Sequence, residues 1–209
     1  MPTPSIDLAD IQAAVATLRS GGVVAFPTET VFGLGALISN EHAVSCLFDL
    51  KRRPRSQALL AHVNNVEMAR TLVADWPDRA ESLAHRFWPG PLTMVLPKSN
   101  LIPDVVTGDG PTIGLRCPNH PVALALIDAL GEAVAATSVN RHGQPPLTKP
   151  EEIRSAFPSD LVYTMKNTGP AAGGTPSTVL LLGSTAENDR IVRPGPISAH
   201  ECGLSHRRP

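Results

Sequence analysis

The chain has 209 residues, 42% of them hydrophobic and 18% charged, with a formal net charge of −1. That length is about 1.4 typical domains, and a compact chain of this size buries roughly 70% of its unfolded surface without staples, so global disorder is excluded. The near-zero charge excludes a whole-molecule field favouring nucleic acid or membrane, and the 21 prolines exclude a helical bundle in favour of short elements joined by rigid turns.

The first amphipathic pattern is Ile11, Ala14, Val15 and Leu18, stopped by Gly21-Gly22. The run 23–26 then reads as a buried strand ending at Pro27. A second helix carries Val44, Leu47 and Phe48 on one face, with Ser39 or Asn40 as its cap. Residues 59–63 form the next strand, 65–74 and 77–87 two helices, and 92–96 a strand after the Pro89-Gly90-Pro91 turn. Strand 112–117, helix 122–130 and strand 133–137 follow, then a polar loop to Lys149 and a short helix at 150–156. Strands at 161–164 and 178–182 flank a Gly/Pro-rich stretch at 165–176, and a short strand covers 190–192. Strands and helices mix without strict βαβ alternation, so the fold class is α/β or α+β, one domain with a mixed parallel and antiparallel sheet. That domain is expected to span 1–198, with a polar tail at 199–209.

Cys46, Cys117 and Cys202 lie far apart with no CxxC pair, which fits reduced thiols and a cytoplasmic setting. MPTPSIDLAD lacks the basic-then-apolar signature of a signal peptide. No apolar run approaches the roughly 18 residues of a membrane span, so no membrane partner is expected.

The chemistry-bearing residues cluster just past strand ends. Pro27-Thr28-Glu29-Thr30, followed by Gly33 and Gly35, reads as a strand-to-helix turn, either a plain cap or a backbone cradle for an anion. Lys51-Arg52-Arg53-Pro54-Arg55 is either a solvated charge run or a rigid pair, Lys51 and Arg53, suited to phosphate oxygens. The period of two places Thr112, Gly114 and Arg116 on one face, and an arginine inside an apolar strand needs a structural or a ligand carboxylate. Thr137-Ser138-Val139-Asn140 ends one core strand and Ser177-Thr178 opens another. Together these residues are expected to converge on one rim of an open sheet. There is no GxxxxGK[ST], no complete dinucleotide fingerprint and no HExxH, and no Cys/His or Ser/His spacing offers a covalent nucleophile. His200-Glu201-Cys202 with His206 imitates a metal set, but it lies in the polar tail, and no metal ligand is assigned.

The segments GGVVAFPTETVFGLGA (21–36), LKRRP (50–54), FWPGPLTMVL (87–96), TIGLRCPNHPVA (112–123), TSVN (137–140), GGTPSTV (173–179) and VRPGPIS (192–198) resemble, in order, the YrdC family, whose active members are threonylcarbamoyl-AMP synthases. The resemblance implies a twisted mixed sheet around a basic concave surface. It implies a nucleotidyltransferase that makes threonylcarbamoyl-AMP and pyrophosphate from L-threonine, bicarbonate and ATP, with Mg²⁺ carried on ATP. Lys51 and Arg53 match the family's lysine-x-arginine pair, and Ser138 and Asn140 its serine-x-asparagine pair; these would hold the phosphates and the carbamoylated intermediate. Gln57, Thr112, Thr148 and Arg193 would complete the ATP and adenylate side, and Thr30, His62, Arg116 and Ser177 the threonine side. The product would pass to tRNA threonylcarbamoyl-transfer proteins, and the concave surface is also linked to RNA or tRNA binding. The alternatives are therefore an RNA-binding relative without synthase activity, and a carbamoyl-adenylate site using another acceptor. This chain departs from the common pattern at Phe32, Gln57-Ala58, His142 and 165–168.

Overall fold

Val23–Phe26 (β1) is fully buried and turns back through the 27–32 loop into Gly33–Leu37 (β2), an antiparallel partner. The computed structural model describes residues 6–166 and 173–204. A helix after the 27–32 turn was expected, and β2 overturns it. Glycines disfavour strands on propensity, but here the sheet requires them. A Cβ at Gly33 would lie 2.6 Å from the Phe26 ring, and one at Gly35 would lie 2.4 Å from Val134 Cγ1.

The remaining strands are Leu60–His62 (β3), Leu92–Pro97 (β4), Thr112–Arg116 (β5), Val134–Ser138 (β6), Val162–Thr164 (β7), Thr178–Leu181 (β8) and Arg190–Arg193 (β9). They form one sheet in the order β7-β1-β2-β6-β3-β5-β4-β8-β9. Pairs β1/β7, β3/β5 and β4/β8 are parallel and the other five antiparallel, so the sheet is mixed, as the irregular alternation implies.

Helix ends follow their local chemistry. Leu8–Arg19 (α1) starts on Asp7, whose carboxylate accepts from the Ala9 and Asp10 amides. Glu41–Lys51 (α2) starts on Asn40, whose Oδ1 accepts from the Ala43 amide at 3.0 Å. Val66–Thr71 (α3), Asp78–Phe87 (α4), the one-turn Asp104–Thr107 (α5), Pro121–Leu130 (α6) and Pro150–Ala156 (α7) complete the set. α6 has proline in its first turn and Gly131 in the left-handed conformation at its end. The one-turn α5 was not expected from sequence, because four residues carry no usable periodicity.

Two cores sandwich the sheet. On one face β1, β2, β5 and β6 pack Val23, Ala25, Leu34, Ile113 and Ala135 against α2 and α4. On the other, Val24, Phe26, Val134 and Ala136 meet Ile11, Ala14 and Leu18 of α1 and Leu126 and Ile127 of α6. The chain remains hydrogen-bonded past Ala199, with the Leu204 amide donating to Ala199 O, and Cys202 and Leu204 pack on the first core. His206, and with it the imitation metal set, lies outside the described residues, as do positions 167 and 168 of the departing 165–168 segment. Among the described residues, no helix is long and apolar enough to cross a membrane.

Candidate functional site

A cleft of about 200 Å³ opens on the sheet face that carries α1 and α6, beside those helices. Its floor follows from the strand register. Leu60 and His62 of β3 stand beside Ala136 and Val134 of β6, and beside Gly114 and Arg116 of β5, all with side chains to this face. Because β6 runs antiparallel to β3 while β5 runs parallel, Ser138 at the end of β6 lies level with Ala58, and Arg116 lies level with His62. These two levels are four residues apart, about 13 Å along the strands. The polar strand ends therefore do not meet on one rim, as expected from the sequence. They mark the two ends of a groove across a sheet face.

At one end, Arg116 is 3% exposed. Its Nη1 donates to Thr30 Oγ1 at 2.8 Å, its Nε donates to Gly90 O at 3.2 Å, and its Nη2 lies 2.8 Å from Glu29 Oε1. The last contact is an ion pair without hydrogen-bond alignment: both Glu29 oxygens and Arg116 Nη2 are buried and make no hydrogen bond. The sequence left open a structural or a ligand carboxylate for Arg116, and the fold supplies Glu29. Thr28 is also buried, its Oγ1 donating to Val31 O at 2.6 Å and lying 3.0 Å from Thr30 Oγ1. The amides of Gly173 and Gly174 donate to Glu29 O and Thr30 O, which binds this loop to the segment leading into Ser177.

Ser177 Oγ lies 2.8 Å from Thr93 Oγ1 and accepts from Arg193 Nη2 at 3.1 Å. Arg193, which the resemblance implies for the adenylate side, thus stands beside the threonine group. His62 packs edge-on against Phe26 with ring centroids 5.6 Å apart. Burial, reinforced by the Arg116 charge, pushes its imidazole down to about 3, so it is neutral throughout the physiological range. Its Nδ1 is buried and has no partner.

At the other end, Arg53 donates from Nε to Gln57 O and from Nη2 to Ala58 O, and lines the cleft beside Ser138. Behind them Lys51 is 1% exposed, its Nζ donating to Ser138 O, to Asn140 O at 2.7 Å and to Asn140 Oδ1 at 2.9 Å. Burial first and Arg53 second push this amine down to about 7. Ser138 Oγ donates to the same Asn140 Oδ1 at 2.6 Å. Desolvation also lowers Arg53, Arg116 and Arg193 below the ordinary arginine range, with Arg116 adding to the effect on Arg193.

Of the residues expected from sequence, Thr30, Arg53, His62, Arg116, Ser138, Ser177 and Arg193 line the cleft. Lys51 and Asn140 form the layer behind it. Thr112 is half-buried, on the same face and, by register, level with Ala58. Gln57 contributes its carbonyl to Arg53, and Thr148 is exposed outside the cleft lining. Thr28, Glu29, Thr93 and Thr137 were not among the residues that the sequence assigned to either ligand. The first two sit in the 27–30 turn already singled out, whereas nothing local marks Thr93.

Three arginines therefore face a small cleft whose lining, among the described residues, holds no carboxylate. Arg53 and Arg193 are satisfied by neutral oxygens. This is a mixed α/β protein with a small arginine-lined cleft across one sheet face. The family model Sua5/YciO/YrdC, described as "Telomere recombination", matches residues 16–195, and the chain belongs to this family.

The chain is 40% identical over 191 residues to a protein of Pyrococcus abyssi named threonylcarbamoyl-AMP synthase, covering 91% of this chain and 55% of that one. It is 35% identical over 204 residues to a putative threonylcarbamoyl-AMP synthase of Mycobacterium tuberculosis, covering 94% and 92%. The crystal structure of P. abyssi Sua5 complexed with L-threonine superposes with a TM-score of 0.87 at 39% identity, over 94% of this chain and 57% of that one. The chain thus spans about half the length of some of the relatives it matches.

Proposed function

We propose that the chain is a threonylcarbamoyl-AMP synthase, a cytoplasmic nucleotidyltransferase acting on L-threonine, bicarbonate and ATP in the threonylcarbamoyl modification of tRNA adenosine. The observation that carries this reading is the two-ended cationic cleft. Arg116, Thr30, His62, Ser177 and Arg193 gather at one end, and Arg53 and Ser138 at the other, with no lining carboxylate to repel phosphate. Relatives bearing that name support it, as does the threonine-bound Sua5 structure.

The reaction needs no protein nucleophile. Bicarbonate sheds hydroxide to give CO₂, the threonine amine adds to its carbon and releases one proton, and that proton joins the hydroxide, so that amine and bicarbonate together give a carbamate and one water. A carbamate oxygen then attacks the α-phosphorus of ATP, the O–Pα bond forms, the bond to the β-phosphate oxygen breaks, and pyrophosphate leaves. Arg116 holds the threonine carboxylate and Arg53 offsets charge on the departing phosphates, so the protein acts by positioning and charge stabilisation. Neutral His62 contributes a hydrogen-bonding edge without adding charge. Mg²⁺ in this reading enters bound to ATP, because the cleft lining offers no carboxylate to hold it and no cluster of three potential ligands occurs among the described residues.

The test is pyrophosphate release from ATP with threonine and bicarbonate each omitted in turn. Turnover that requires both supports the reading. Turnover indifferent to threonine points to another acceptor, and salt-sensitive RNA binding without ATP turnover points to an RNA-binding protein.

A further inference from the structure

An ammonium group has three protons to donate. Lys51 meets three acceptors, Ser138 O, Asn140 O and Asn140 Oδ1, inside the protein. At 1% exposure it has no fourth direction open to solvent, and it is absent from the cleft lining. No carboxylate pairs with it among the described residues. Every proton it carries is committed before a ligand arrives.

The acceptors all belong to one turn, and Lys51 O also accepts from the His142 amide at 2.9 Å, so the end of α2 grips that turn by side chain and backbone together. The grip is relayed. Asn140 Oδ1 accepts from Ser138 Oγ as well as from Lys51, and Asn140 Nδ2 donates to Arg141 O and Gln144 O. Ser138 is the member of this chain that reaches the cleft.

We propose that Lys51 is a positioning residue that clasps the 138–140 turn and acts on the nucleotide through Asn140 and Ser138, leaving Arg53 as the cation that touches phosphate. This rests on the synthase reading for its ligand and departs from the direct phosphate contact implied by the family resemblance.

The experiment has two readouts on wild type, Lys51→Met, Lys51→Gln, Asn140→Ala and the Lys51→Met/Asn140→Ala double variant. In ligand-free protein, amide hydrogen exchange across 138–144 is expected to accelerate in Lys51→Met, and less in Lys51→Gln, whose amide donates to two of the three acceptors. In ATP titrations by calorimetry, Lys51→Met and Asn140→Ala are each expected to weaken binding about tenfold, with the double variant no worse than the weaker single, because one acts through the other. Lys51→Gln should recover part of the affinity.

Losses that multiply in the double variant, with Lys51→Gln as poor as Lys51→Met, would overturn the proposal in favour of a direct charge contact. Unchanged exchange in Lys51→Met would also overturn it. Should wild type not bind ATP at all, the synthase reading fails, while the exchange experiment still decides whether Lys51 is the clasp.

Discussion

Replacing Glu29 by glutamine removes a charge without removing bulk, and the structure fixes what that costs. Arg116 is 3% exposed and, among the described residues, has Glu29 as its one carboxylate partner at 2.8 Å; its other acceptors, Thr30 Oγ1 and Gly90 O, are neutral. Leaving one member of a buried pair uncompensated costs roughly 3–5 kcal/mol, and the lower end applies because the Glu29 side chain is 20% exposed. For a domain of this length each kcal/mol moves Tm by about 2–4 °C, so a loss of roughly 10 °C is expected. Thermal and urea unfolding of Glu29→Gln, Arg116→Met and the double variant complete the cycle, with the double recovering most of either single loss. Under the synthase reading, Glu29→Gln also tightens threonine binding, because the ligand carboxylate no longer shares Arg116 with an internal anion. A Tm within 2 °C of wild type for Glu29→Gln would refute the claim that this pair is desolvated and mutually dependent.

Arg53→Ala should lower kcat/KM about 10²-fold or more, the size of a lost charge stabiliser, in the pyrophosphate assay; near-normal turnover would remove Arg53 from the site. Gly35→Ala forces a Cβ against Val134 and Phe26 and should destabilise by about 1–3 kcal/mol in urea, with Val134→Ala relieving most of the loss; an unchanged midpoint would contradict the packing. His62 is held at about 3 when folded against an ordinary 6.5, so below 6.5 the unfolded chain takes up a proton that the folded one refuses. Stability should therefore fall as pH drops from 6.5 toward 3 and be flat with respect to this group above 6.5, and His62→Gln should remove its share of that slope in pH-dependent unfolding.

Where local chemistry is self-contained, the sequence was legible. Asn40, one of the two caps expected for the second helix, caps it through its own side chain, and helix 150–156 is observed at those limits. β2 was hidden because Gly33 and Gly35 read as turn residues, while the Phe26 ring and Val134 that demand them come from other strands. The site residues were legible as residue types at motif positions, yet their arrangement depended on strand direction. Nothing in TSVN says that β6 runs against β3, and that direction places Ser138 and His62 at opposite ends of a groove. Glu29 is a similar case: the sequence showed that Arg116 needs a counter-charge, but the 27–32 loop has to fold across the sheet before the two can meet.

The outermost strand carries a consequence of its own. Among the described residues β9 is paired on one side alone, to β8, through a register irregularity at Val179/Leu180, yet it delivers Arg193 to Ser177 and the cleft. A strand end held by few neighbours frays readily, so an anion bridging Arg193 to the better-anchored Arg116 would act as a suture for the margin of the sheet. Such an anion would couple occupancy of the cleft to the resistance of this margin to proteases, and limited digestion would then gauge ligation without any chemistry being followed.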